Sequence, residues 1–173
     1  MPALKVLRKL NAPVHPILDS AAVAAEKMMA SVSGYGLHFA FVDPYSLEAL
    51  DFRVISTLSM LNRIDLLIHI SAMDLNRNLS VNLAAETSAF DAFAPGWRDS
   101  VSTTGTQQVV RRRVVEFWRE KVTKLGVWPS IDPRLITGEN NQPLYWLLLA
   151  ARHELAHKFW SSASNPEGQG KLF

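Results

Sequence analysis

Leu37-His-Phe-Ala-Phe-Val42 and Ile64-Asp-Leu-Leu-Ile-His-Ile70 are the two stretches that decide the fold of this chain. Each is a short, nearly continuous apolar run, and each stands between segments with helical spacing. Runs of this kind are typical of strands that are buried on both faces of a parallel sheet. The sequence therefore predicts an α/β domain with a mostly parallel sheet in a three-layer αβα, Rossmann-like arrangement.

Apolar periodicity and turn residues predict the elements around these two strands. The string Gly-Glu-Asn-Asn-Gln at residues 138–142 separates two β-like stretches and indicates a C-terminal antiparallel hairpin. The other expected elements are helices over residues 21–32, 54–61, 107–125 and 153–161, hairpin strands over Ser130–Ile136 and Pro143–Ala151, and a short strand over Pro13–Leu18.

Length and composition set the class of protein. The chain has 173 residues, of which 48% are hydrophobic and 20% charged, so we expect one globular domain over residues 1–163 and a flexible tail over 164–173. The absence of cysteine excludes a disulfide scaffold, an iron–sulfur cluster and a thiolate zinc site. The longest apolar run, Leu144–Ala151, is less than half of a membrane span, and the sequence predicts a cytoplasmic protein with no membrane partner.

Polar clusters follow the predicted strands where parallel sheets bind their ligands, beyond the carboxyl ends of the strands. One cluster begins at Asp43, the next covers residues 71–78, and the hairpin turn joins them if the strand before it runs parallel to the others. The candidate catalytic residues are Asp43 and Tyr45, and the candidate substrate- or partner-binding residues are Ser46, Asp74, Arg77, Asn78, Asn140 and Asn141.

Each candidate also has a purely structural interpretation. Asp43 can cap the following turn, because Asp-Pro is well suited to that role, and Tyr45 can simply cover the rim of the sheet. Asp74 can begin a helix while Arg77 pairs with it, and the two asparagines fit the hairpin turn. The histidines inside the predicted strands, His38 and His69, are expected to be core residues with satisfied hydrogen bonds.

Five strings carry a family resemblance over residues 36–160. They are Phe39-Ala-Phe-Val-Asp-Pro-Tyr45, Ile64-Asp-Leu-Leu-Ile68, Asp74-Leu-Asn-Arg-Asn78, Pro95-Gly-Trp-Arg98 and Asn141-Gln-Pro-Leu-Tyr-Trp146. In this order they resemble the three-Cys-motif partner (TcmP) family of bacterial proteins, which is similar to class I methyltransferases. The resemblance implies a sheet that closes with an antiparallel last strand, methyl transfer from S-adenosylmethionine, Asp43 orienting or deprotonating the acceptor, and a partner protein with three cysteines.

The chain departs from this family at the cofactor loop. In the family a glycine-rich loop precedes these segments, whereas none of the eight glycines here forms such a loop, and Asp43-Pro44-Tyr45 lacks the second proline of the methyltransferase motif. We therefore expect an N-terminally truncated domain that does not bind S-adenosylmethionine alone, with Asp19 at the position that contacts the adenine. The strand Leu37–Val42 would lack its neighbour, so we expect self-association through this edge or pairing of Val14–Leu18 onto it.

His153-Glu154-Leu155-Ala156-His157 is a competing motif. Two histidines four residues apart on a helix can hold zinc while the glutamate activates a water molecule. A catalytic site needs a third protein ligand, and only Glu167 follows, while Lys158 places a positive charge beside the ion. The alternative interpretation is an ordinary helix start with an acidic residue in its first turn.

Arg111-Arg112-Arg113 could contact nucleic-acid phosphates, but a solvated helix face is favoured because no aromatic residues lie between the basic ones. Three functions remain open. The favoured one is a methyltransferase-like domain that acts with a partner or is inactive by itself. The alternatives are a non-catalytic interaction module and a zinc-dependent hydrolase.

Overall fold

The computed structural model describes residues 13–164, and the predicted tail beyond Ser164 lies outside them. The strands are β1 (His38–Val42), β2 (Ile64–Ser71), β3 (Trp128–Pro129), β4 (Arg134–Thr137) and β5 (Pro143–Ala151), with a 3-10 turn at Glu139–Asn141. The helices are α1 (Ala21–Met29), α2 (Phe52–Leu58), α3 (Ala72–Arg77), α4 (Leu79–Ala84), α5 (Ala89–Phe93), α6 (Trp97–Ser100), α7 (Gln107–Lys124) and α8 (Glu154–Ser164).

The sheet is mixed, and the expected mostly parallel sheet is present in strand direction but not in pairing. Its order is β1-β2-β5-β3, and β4 also pairs with β5. Only β1 and β2 pair in parallel; β5 is antiparallel to β2, β3 and β4, so β1 to β4 run in one direction and β5 alone runs against them. The reason is that β4 and β5 are joined by a short turn, which permits only antiparallel pairing, and β5 then takes the place beside β2. The C-terminal hairpin itself is confirmed.

The core lies on one face of this sheet. Along β2 the even-numbered side chains from Ile64 to Ile70 are buried, and Leu148 and Ala150 of β5 share their face. The alternation is the one expected of a strand whose two faces differ in burial. Trp118 of α7 stacks on Phe93 of α5 with ring centroids 5.1 Å apart. The helical side chains in this core include Ala25, Val54, Ile55, Leu58, Val114 and Val122.

The opposite face is covered only in part by the described helices. Arg134, which lies on this face opposite Leu147, donates a hydrogen bond to the Ser164 carbonyl oxygen at the end of α8. Helix α8 therefore lies over the β4–β5 part of the sheet. At β1 the side chains of Phe39 and Phe41 remain 65% and 55% exposed. Within residues 13–164, helices thus cover both faces at β5 but one face at β1.

β1 is an edge strand, as expected, but the expected strand over Pro13–Leu18 is wrong. Residues 13–18 have no regular secondary structure and do not pair with β1. Pro13 and Pro16 account for this, because proline has no backbone N–H with which to join a ladder. The outer edge of β1 is therefore unpaired in the described part of the chain.

The link between α5 and α6 is a compact polar cluster around Asp91. Its carboxylate accepts hydrogen bonds from the Ser88 backbone N–H at 2.7 Å, from Trp97 Nε1 at 2.8 Å and from the Arg98 guanidinium at 3.0 Å. The Arg98 guanidinium is the main reason that the pKa of Asp91 is lowered. The cluster fixes Trp97, whose side chain is buried, against the core.

We predict that Asp91→Asn lowers the free energy of unfolding by about 1–2 kcal/mol at pH 7, with partial exposure limiting the loss. The depressed pKa stabilises the folded state above the unfolded value of 3.8, and this contribution is lost as the pH falls through the folded pKa. In urea unfolding, the difference in unfolding free energy between the wild type and Asp91→Asn should therefore be smaller at pH 3 than at pH 7. Asp99→Asn, on the exposed side of α6, is the control, and an equal loss there would contradict the prediction.

Candidate functional site

The ends of β1 and β2 place two of the predicted polar clusters side by side. The strands run parallel with Val42 opposite Ile68, so both chains leave the sheet at the same rim. The Leu47 backbone N–H donates to Asp74 Oδ2 at 2.8 Å, which ties the loop after β1 to the first turn of α3. The expected adjacency of the Asp43 and Asp74 segments is therefore present in the fold.

Asp43 and His69 form the centre of this rim. One position beyond the paired residues Val42 and Ile68, the Asp43 Oδ1 and His69 Nδ1 atoms are 2.6 Å apart. The His69 ring also lies against Tyr145 of β5, with centroids separated by 4.2 Å. An ionised carboxylate oxygen can only accept, so with Asp43 ionised Nδ1 is the donor, and the neutral form of the imidazole then has its lone pair on Nε2.

This pair lies at the boundary between core and solvent. The Asp43 carboxylate is more than half exposed, whereas the His69 side chain is 18% exposed, and His69 Nε2 has no hydrogen-bond partner among residues 13–164. An imidazole that is oriented by a carboxylate and has a free Nε2 can accept a proton from a bound hydroxyl, amine or water. The arrangement is therefore chemically suited to acid–base work at the open face of the sheet.

The interpretation of His69 as a satisfied core residue holds in part: it is hydrogen-bonded to Asp43 and only 18% exposed, but it does not belong to the core cluster. Its side chain projects from the face opposite Ile68 and Ile70, beside the exposed part of β1. The signal that could have found it is the register of the parallel pair, since equal steps along β1 and β2 bring Asp43 and His69 together. Sequence periodicity does not supply that register.

Other predicted residues of the rim serve the backbone or face solvent. Ser46 Oγ accepts from the Ala49 N–H at 3.2 Å, so it stabilises its own loop. Tyr45 is 96% exposed. Arg77 and Asn78 are also exposed, and Arg77 makes no ion pair with Asp74. Asp74 is thus an anchor of the Leu47 loop, and its predicted pairing with Arg77 is wrong.

The hairpin turn lies at the same rim, because β4 and β2 are both antiparallel to β5 and hence run in the same direction. Asn140 and Asn141 have φ values of 58° and 57°, in the left-handed region that asparagine tolerates better than most residues. Gln142 Nε2 lies 3.7 Å from Met73 Sδ, which connects the turn to α3. These asparagines therefore have the structural role of shaping the turn, on an exposed part of the rim.

Asp19 is not at the end of a strand, since residues 13–18 form none. Its carboxylate pairs with Lys27 Nζ at 2.8 Å and accepts a hydrogen bond from the Ser20 N–H. The hydrogen bond from Lys27 is the main cause of the lowered pKa of Asp19. The basis for assigning Asp19 to adenine binding is therefore wrong, and the carboxylate instead stabilises the start of α1.

The His-Glu-x-x-His residues do not converge on one point. His153 precedes α8, and its Nδ1 accepts from the Leu155 N–H at 3.1 Å, which uses the lone pair that a metal would need. His157 Nε2 donates to the Ala151 carbonyl oxygen at 3.3 Å, and Glu154 pairs with Lys158 at 3.0 Å. Residues 13–164 contain no group of three or more His, Cys, Asp or Glu side chains able to hold a metal.

The arginine run of α7 is engaged within the molecule. Arg111 donates to Asn76 Oδ1, Arg112 lies 3.6 Å from Glu116, and Arg113 donates to the carbonyl oxygens of Ser102 and Thr104. The arrangement agrees with the favoured interpretation of a helix face.

The described residues do not fit S-adenosylmethionine. A backbone cradle for such a nucleoside needs glycine in the turn between a strand and the next helix. The loop between β1 and α2 contains no glycine and α3 follows β2 directly, while the glycines with left-handed φ, which are Gly96, Gly105 and Gly126, flank α6 and α7. No reaction step through that cofactor follows from these residues.

We predict that Asp74→Ala lowers the free energy of unfolding by about 1–3 kcal/mol, because it leaves the N–H of the buried Leu47 without an acceptor. Asp74→Asn keeps an acceptor oxygen and should lose less. Urea unfolding is the measurement, with Glu48→Ala as a control on the exposed side of the same loop. A loss in Asp74→Ala no larger than in the control would refute the anchoring role.

Comparison with known proteins assigns no family to this chain. No protein-family model matches it, and neither a curated protein nor a solved structure matches it. No helix within residues 13–164 has the length and apolar character needed to cross a membrane. A functional conclusion therefore depends on the geometry of the rim and of the β1 edge.

Proposed function

We propose that this chain is a methyltransferase-like domain of the three-Cys-motif partner type that acts together with a partner polypeptide, which supplies a strand beside β1 and the cofactor-binding half. The observation that carries the proposal is the unpaired edge of β1 directly next to the Asp43–His69 pair. Two further features support it: the parallel β1–β2 pair and the antiparallel last strand agree with the order that the resemblance implies.

The edge of β1 is chemically prepared for strand addition. The His38 N–H donates to the Arg63 carbonyl oxygen, so the backbone groups of His38, Ala40 and Val42 point toward β2. Because successive residues of a strand alternate, the N–H and C=O groups of Phe39 and Phe41 point outward. These four groups have no strand partner in the described part of the chain, and such a row is a template for another strand.

A groove beside this edge has the character of an unfilled core. It has a volume of about 850 Å³ and is lined by β1 and by apolar side chains of α1 and α2, among them Ala25, Met28, Val54 and Leu58. Asp43, Pro44 and Tyr45 form its end at the rim. A strand–helix unit of the partner that filled the groove would bury this apolar surface and bring its own strand end to the Asp43–His69 pair.

Residues of this chain would then remove a proton from the acceptor group. Asp43 accepts from His69 Nδ1–H and holds the ring in one orientation, and His69 Nε2 takes a proton from the acceptor hydroxyl or amine as its oxygen or nitrogen becomes nucleophilic. S-adenosylmethionine would supply the methyl group and would be bound by the partner. Tyr45, at the mouth of the groove, is placed to cover the acceptor.

A second candidate function uses the same edge without catalysis. The exposed Phe39 and Phe41 side chains favour an interaction module in which a second copy of the chain, rather than a different partner, pairs with β1. Such a homo-oligomer would extend the sheet across a two-fold axis. The two functions share the edge and differ in its occupant.

We predict that the chain alone does not bind S-adenosylmethionine in the micromolar range by isothermal titration calorimetry, since residues 13–164 form no glycine-containing cradle. Micromolar binding by the chain alone would overturn the assignment of cofactor binding to the partner.

We predict that Phe41→Pro abolishes association through β1, because it removes an outward N–H without removing a hydrogen bond to β2. Phe41→Val, which keeps that N–H, is the matched control and should retain association. Sedimentation velocity at high protein concentration, alone and with the three-cysteine partner, is the measurement. Self-association that is lost in Phe41→Pro alone supports the second copy, association only with the partner supports the proposal, and a wild-type chain that stays monomeric under both conditions refutes both.

A further inference from the structure

A second cavity, of about 610 Å³, lies between α7 and the hairpin β4–β5, and it shares no residue with the Asp43–His69 pair. Its volume is within the range of about 300–1,000 Å³ that small-molecule sites occupy. It is lined by the core face of the sheet on one side and by polar residues of α7 on the other. The cavity therefore joins an apolar surface to a charged one.

The apolar wall is a row of side chains across three strands. Trp146 of β5 lies directly opposite Ile70 of β2 and Leu135 of β4. Leu148, two residues further along β5, extends the same wall. Leu135 is still 41% exposed, although it lies on the core face of the sheet. Leu135 and Trp146 both line the cavity, and a flat apolar body could lie there against the Trp146 ring.

The charged wall carries more cations than anions. Helix α7 contributes Arg111, Arg112 and Arg119 to the cavity lining, against the single carboxylate of Glu116, which gives a net charge of +2. Glu116 lies 3.6 Å from Arg112, and Arg111 is bonded to the neutral Asn76. The remaining positive charge is thus shared by Arg111 and Arg119, and Arg119 has no side chain as its hydrogen-bond partner.

Arg119 is half-buried without an ion-pair partner among residues 13–164. One guanidinium nitrogen donates to the Ser130 carbonyl oxygen at 2.7 Å. Burial lowers the pKa of Arg119. The negative charges of Asp132 and Glu116 act in the opposite direction, but neither carboxylate forms an ion pair with the guanidinium. A carboxylate bound in a bidentate manner would stabilise a partly desolvated guanidinium, because it supplies both an opposite charge and acceptors for the free N–H groups.

We propose that this cavity binds a small organic carboxylate with a flat apolar body, its carboxylate at Arg119 and its body against Trp146. The proposal does not depend on the function assigned to the rim. The chemistry of the two walls selects for the combination of an anion and an apolar body, because a simple anion would leave the Trp146–Leu135 surface exposed and a neutral apolar molecule would leave Arg119 unpaired.

The test uses 1-naphthoate and its neutral analogue 1-naphthalenemethanol as probes at low salt and pH 7. Isothermal titration calorimetry gives the affinities, and NMR of the tryptophan indole N–H groups locates the probe. We expect naphthoate to bind about tenfold more tightly than the alcohol or better, and to shift the Trp146 signal. Equal affinity for the two probes, or no naphthoate binding, would overturn the proposal.

Variants separate the site from other apolar surfaces. Arg119→Gln should weaken naphthoate binding about tenfold and leave the alcohol unchanged, whereas Lys124→Gln, at the exposed end of α7, should change neither. Because Arg119→Gln also removes the bond to Ser130, Leu135→Glu provides a second variant that adds a carboxylate at the exposed mouth and should abolish naphthoate binding. Binding that survives both variants but disappears in Phe39→Ser would place the probe on β1 and refute the proposal.

Discussion

The parallel pairing of β1 with β2 determines where every candidate residue of the rim lies. Its register places Asp43 one step beyond Val42 and His69 one step beyond Ile68, so a carboxylate and an imidazole from distant parts of the sequence come within 2.6 Å. The same pairing directs the backbone groups of Phe39 and Phe41 away from β2 and so creates the free edge. Because both features depend on one register, a slip by one residue would remove the pair and exchange the two faces of β1.

The polar residues of the rim form two groups: most hydrogen-bond to the backbone or shape a turn, and one pair is arranged for proton transfer. Asp74 and Ser46 satisfy backbone N–H groups, and the asparagines of the hairpin provide left-handed φ values. The His-Glu-x-x-His residues are likewise engaged with local partners. The Asp43–His69 pair differs because His69 Nε2 has no hydrogen-bond partner among residues 13–164 and lies on the sheet face that the described helices cover only in part.

The elements that could be predicted from sequence are those with local causes. Apolar runs located β1 and β2, helical periodicity located α7, and turn residues located the hairpin. Sequence could not reveal the neighbour of each strand, because a run buried on both faces looks the same in parallel and antiparallel surroundings; three of the four pairings are antiparallel because β5 lies between strands that run the other way. The contact of His69 with Asp43 could not be predicted either, because it depends on the register of β1 and β2. At Pro13–Leu18 the apolar composition predicts a strand, but the two prolines of this segment cannot donate hydrogen bonds to a neighbouring strand.

The position of β5 has a consequence for how the chain is made. This strand is the centre of the sheet, yet Asp65 of β2 pairs with Ala151, about half of the chain later. During synthesis on the ribosome, β2 emerges long before the partner that completes its ladder, so its apolar row stays exposed in the nascent polypeptide. Such long-range pairing is slow to form, and unpaired strands of this kind are prone to aggregate. The strand order therefore leaves the apolar row of β2 open to aggregation until β5 has been translated and has paired with it.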